Sequence, residues 1–179
     1  NGLREQDQTT ESAPQELLRR RAGGAWKSFI ETQVGTIGTV TEGSPPVVLP
    51  QVSAVLAGLR ERTPEDAVST LQGAAADAKE VSEAIASHDL SGSLTGKGFD
   101  KGEALRFLSA RDEIVTSLSL TREAALLGVA AARLDVADRA AVIARAQTFL
   151  ALADAAMARF QTHQNEALSA AGFNPQPGL

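Results

Sequence analysis

Between Asp100 and Arg133 one apolar stripe repeats at spacings of four and three residues: Ala104, Leu108, Arg111, Val115, Leu118, Arg122, Ala125, Val129 and Ala132. Residues so spaced share one face of an α-helix, and a stripe this long predicts a tall bundle instead of a compact globule. No segment alternates polar and apolar residues in the manner of a half-buried strand. The class expected is therefore all-α.

Other segments repeat the pattern. A first helix is predicted from near Ala13, capped by Ser12 and with Pro14 in its first turn, placing Leu18, Ala22, Ala25, Phe29, Ile30, Gln33, Ile37 and Val40 on one face. Gly43-Ser44-Pro45-Pro46 stops it. A short segment from Pro50 to Arg62 places Val52, Val55, Leu56 and Leu59 together. Thr63-Pro64-Glu65-Asp66 then reads as a helix start, with Thr63 as cap, before Ala67, Leu71, Ala74, Ala78, Val81 and Ile85 at heptad spacing. A last helix, capped by Asp135, runs to about Ala171 and buries Val142, Ile143, Ala146, Phe149, Leu150, Ala153, Ala156, Met157 and Phe160. Alanine at so many core positions implies close interhelical approach. The architecture expected is an antiparallel four-helix bundle with one additional short helix, formed by residues 14–171 as a single domain. Residues 1–13 are expected to be a flexible N-terminal segment, 88–100 a glycine-rich connection between the bundle halves, and 172–179 a flexible tail.

The 179 residues are enough to bury a substantial core. Their charge, 17 Lys plus Arg against 22 Asp plus Glu, is −5 and disfavours a partner held by phosphate neutralisation, so no nucleic acid is expected. Aromatic residues are scarce, which removes the usual base-stacking platforms. No cysteine is present, so thiolate metal sites and cysteine nucleophiles are excluded. No uninterrupted run of eighteen apolar residues occurs, and nothing within the sequence is expected to span a bilayer.

Motifs for chemistry are few. Gly92 to Lys97 resembles a phosphate-binding loop only superficially: three residues separate Gly92 from Gly96 where the motif needs four, and Gly98 stands where it needs Ser or Thr. His88 and His163 are the only histidines and neither has a glutamate three residues before it, so no metal and no cofactor is expected. Nucleophile elbows and paired catalytic acids are absent, and an enzyme is not expected. Arg19-Arg20-Arg21 reads as a solvated basic cluster.

Arg111 and Arg122 are the unusual residues. They lie close to three helical turns apart, about 16 Å along one face. An arginine on an apolar stripe must pair with an acid, reach water or hold an anion. Asp77, Glu80 and Asp154 on neighbouring helices are the acids available for the first option. For the third, the hydroxyl-rich stretch around them supplies Thr116 and Ser119 as additional donors, and the four residues together form a candidate anion site between helices.

Leu108-Ser109-Ala110-Arg111-Asp112-Glu113-Ile114-Val115, followed by the Leu120 to Leu134 stretch and the helix to Phe160, resembles the helical nitrate- and nitrite-sensing domains found outside the membrane in bacterial sensor kinases and chemoreceptors. The resemblance covers roughly residues 105–160. It implies an extracytoplasmic sensor domain of a membrane signalling receptor, with Arg111 and Arg122 lining a pocket for nitrate, nitrite or a carboxylate. It also implies a homodimer anchored to the membrane through segments outside this sequence. The alternative is a secreted or lipid-anchored helical scaffold with no small-molecule ligand.

Overall fold

A computed structural model of the chain describes residues 48–95 and 101–170. The expected segment 1–13, the first helix over 14–40, the Arg19-Arg20-Arg21 cluster and the tail 172–179 lie outside the described residues. Among those described there are five helices and no strand: α1 (Val48–Gly58), α2 (Ala67–Ser87), α3 (Leu90–Thr95), α4 (Lys101–Ala132) and α5 (Ala140–Ala170).

The 32-residue α4 is the centre of the fold, with α5 against one side along its length and α2 against the other. α2 and α5 hardly touch each other. Helix α2 buries all six of the residues its heptads single out, from Ala67 to Ile85, and adds Ala75. Their small volume permits close approach to α4, and at Gly128 the approach leaves no room for a side chain. A Cβ there would stand 2.8 Å from Leu71 Cδ1 and 2.9 Å from Leu56 Cδ2. Helix α1 and the residue just past it seal this end of the bundle through Val52, Leu56 and Leu59, all fully buried.

Three local expectations change. Thr63 does not cap α2; Ala67 N donates to the Pro64 carbonyl at 3.1 Å, so Pro64 opens a preliminary turn and the helix proper begins at Ala67. The connection 88–100 contains a helical turn, α3, whose Leu90 and Leu94 are buried. Asp89 sets its start by accepting a bond from Gly92 N at 2.9 Å, in a space so tight that a Cβ on residue 92 would overlap the carboxylate. Finally, Asp135 caps no long helix: it accepts from Asp138 N within a turn, and the first α-helical bond of α5 runs from Ile143 N to the Arg139 carbonyl.

Helices α4 and α5 each contain a window long and apolar enough, by length and composition, to cross a membrane, with mean hydropathy 1.3. Half of the α4 window is buried within the protein, as expected for the central helix of a bundle.

Candidate functional site

The heptad of α4 that is fully buried is Phe107, Ala110, Ile114, Ser117, Thr121, Ala124, Gly128 and Ala131. Of the stripe predicted from the sequence, Ala104, Leu118, Ala125 and Val129 are also buried, while Leu108, Arg111, Val115 and Arg122 lie on a shoulder beside the seam and are half-buried. The difference follows from the two neighbours of α4. A helix packed on both sides spreads its apolar residues around the circumference, and sequence periodicity then no longer marks the seam.

This placement decides what Arg111 and Arg122 touch. Arg111 Nη2 lies 2.8 Å from Asp112 Oδ1, with a side chain 22% exposed, and Arg122 Nη1 lies 3.6 Å from Glu123 Oε1, 41% exposed. Each arginine therefore turns to the acid next to it in sequence, and the interhelical partners Asp77, Glu80 and Asp154 are not used. The hydroxyls of Thr116 and Ser119 are exposed and donate to their own helix, to the Asp112 and Val115 carbonyls, both at 2.8 Å. The four predicted residues thus share an outer strip of α4 and are not brought around one enclosed space.

The hydroxyls that do enter the interior are Ser117 and Thr121. Ser117 Oγ donates across the seam to the Ala153 carbonyl of α5 at 2.9 Å, and Thr121 Oγ1 to the Ser117 carbonyl at 2.8 Å. A third interior polar group is Arg139, only 4% exposed. Its Nη1 donates to the Leu59 carbonyl at 3.0 Å and to Thr63 Oγ1 at 2.9 Å, and its Nη2 to the Leu134 carbonyl at 2.7 Å. The guanidinium thereby ties the α1–α2 connection to the α4–α5 turn. Sequence reasoning missed Arg139; the one signal available was a basic residue at a helix start, where it opposes the helix dipole.

Helices α4 and α5 are also linked at their surface. Glu113 accepts from Arg159 Nε at 2.8 Å, and the carboxylate holds the guanidinium above its ordinary value through this hydrogen bond. Further toward the far end of the pair lies an open cleft of about 880 Å³ lined by Arg106, Thr162, Asn165, Glu166, Ser169 and Ala170. Among the described residues no three His, Asp or Glu side chains gather as a metal site would require. His163 Nδ1 instead lies 3.8 Å from Glu166 Oε2.

Set against family models, curated proteins and solved structures, the chain matches none of them.

Proposed function

We propose that this chain is the extracytoplasmic helical sensor domain of a bacterial membrane signalling receptor, one that binds a small anion such as nitrate, nitrite or a carboxylate and passes on a helix shift. The observation that carries the reading is the texture of the α4 seam. Ala110, Ser117, Thr121, Ala124, Gly128 and Ala131 are small for buried positions on a central helix. Small side chains interlock less deeply than Leu or Phe, and a displacement of about 1–2 Å is the size of shift that helical interfaces transmit. In the four-helix form of this reading, the helix-patterned segment 14–40 is the fourth member. α2 and α5, both on α4 and hardly touching, would then stand as diagonal helices. Membrane anchorage through segments outside the sequence and a homodimeric state belong to the same proposal.

The test is a thermal-unfolding screen of the 179-residue chain against nitrate, nitrite, acetate and amino acids, repeated on Arg111→Ala and Arg122→Ala. A ligand at a hundred times its dissociation constant adds about 2.7 kcal/mol and raises the midpoint by several degrees. A response abolished in both variants supports an anion site on the arginine strip. A response retained by both moves the site elsewhere on the bundle, and a flat screen removes the sensor reading.

One observation supports the homodimeric state. The outer face of α5 presents Ala141, Ala144, Thr148, Ala151, Ala155, Ala158 and Thr162 at heptad spacing, all exposed, beside Leu152 at 50% exposure. A straight face of small residues suits close packing against a second copy of the same helix. A concentration-independent monomer in light scattering would exclude that arrangement.

A further inference from the structure

The bonds from Ser117 to Ala153 and from Arg159 to Glu113 fix the antiparallel register of α4 and α5. One heptad before Glu113 on α4 is Arg106, and one heptad beyond Arg159 on α5 is Glu166. The register therefore repeats the Glu113–Arg159 pair at the end of the bundle with its polarity reversed. The first pair is closed at 2.8 Å. The second is open: among the described residues Arg106 forms no ion pair, Glu166 leans toward His163, and the cleft lies between them.

A cleft lined by one cation from α4 and one anion from α5 selects its ligand by charge. A bare anion is drawn by Arg106 and repelled by Glu166, and a bare amine meets the reverse. A molecule carrying both charges satisfies both side chains, and Arg106 offers the planar donor fork that matches a carboxylate. Thr162, Asn165 and Ser169 complete the lining, with the Thr162 hydroxyl turned to the Ala158 carbonyl at 3.1 Å. The cleft, about 880 Å³, stands open to solvent, so a ligand there is held by its charges and not by enclosure.

We propose that the cleft between the first turns of α4 and the last turns of α5 binds a zwitterionic amino acid, its carboxylate on Arg106 and its ammonium on Glu166. The inference rests on the ligand-sensing reading above, and it relocates the ligand from the Arg111–Arg122 strip to the end of the helix pair. Ligand entry there bridges α4 and α5, the two helices whose relative shift would carry the signal.

The experiment is an NMR titration of the whole chain with glycine and L-serine, and separately with acetate and methylammonium. It is run on wild type, Arg106→Gln, Glu166→Gln and the charge-swapped double variant Arg106→Glu/Glu166→Arg. All the changes lie on exposed residues, and a thermal melt of each variant checks folding. The expected result is that glycine and L-serine shift the amides around residues 106 and 162–169. Each single variant weakens binding at least about tenfold, the swapped variant restores it with the ligand reversed, and neither singly charged probe approaches glycine. Acetate binding as well as glycine, with Glu166→Gln harmless, overturns the zwitterion while leaving an anion sensor intact. No response at these amides to any probe overturns the site, and a flat thermal-unfolding screen with nitrate and nitrite as well takes the sensor reading with it. A double-mutant cycle on stability in the absence of ligand guards against the simplest alternative. Strong coupling between residues 106 and 166 would mean the pair closes on itself in solution, and would also overturn the proposal.

Discussion

Arg139 Nη1 donates to the carbonyl of Leu59 at 3.0 Å, joining the start of α5 to the chain just past α1 across 80 residues of sequence. The same guanidinium reaches Thr63 and Leu134, so three hydrogen bonds from one side chain join two interhelical connections. Removing it leaves the Leu59 and Leu134 carbonyls without their donor, and a hydrogen bond to a charged group contributes about 1.5–3 kcal/mol. Arg139→Ala should destabilise the protein by about 3 kcal/mol in urea unfolding. Arg139→Lys should recover less than half of that, because an ammonium cannot span the fork. A loss below about 1 kcal/mol for the alanine variant would show that water replaces the clamp.

Two glycines should respond oppositely to alanine. At Gly128 the new Cβ meets Leu71 and Leu56, both fully buried and unable to move without repacking. Overpacking at such a contact outweighs the gain in helix propensity of about 1 kcal/mol, giving a net loss of similar size. At Gly73 of α2 nothing lies within 4 Å of the Cβ position, and Gly73→Ala should stabilise by about 0.5–1 kcal/mol. Thermal melts of the two variants on either side of wild type would check the pair, and a stabilised Gly128→Ala would contradict the close approach of α1 and α2 to α4.

Ser117 should tolerate loss of its hydroxyl better than added bulk. Its bond to the Ala153 carbonyl crosses the α4–α5 seam, and Ser117→Ala should cost about 1 kcal/mol. Ser117→Leu forces extra methylenes into the same narrow seam and should cost about 3 kcal/mol. Equal effects in chemical denaturation would mean that the seam is loose.

Arg111 and Arg122 pair with exposed neighbours on their own helix, so neither holds two helices together. Arg111→Ala and Arg122→Ala should change stability by less than about 0.5 kcal/mol each. Larger losses in ligand-free protein would indicate interhelical partners.

If α5 packs on a second copy of itself, Leu152→Glu should shift the mass measured by light scattering toward the monomer, since it places a charge on the half-exposed centre of the outer face. An unchanged dimer would put the interface elsewhere.

The sequence by itself determined that the described chain is helical and which residues of α2 face inward. Ala67, Leu71, Ala74, Ala78, Val81 and Ile85 are read at once because α2 buries one narrow stripe, mainly against a single neighbour, and local periodicity encodes that arrangement fully. On α4 the same reasoning found the helix and part of its buried face, Ala104, Leu118, Ala125 and Val129, and missed the rest. Leu108 and Val115 look like core residues, yet they flank that face, while Ser117 and Thr121 are buried between two partners that no local pattern announces. Tertiary structure alone chose the companions of the arginines. A guanidinium on a long, flexible stem reaches whatever acceptor the packing leaves near it: Asp112 for Arg111, backbone carbonyls for Arg139, and for Arg106 an open cleft that exists only once α4 and α5 are set in register.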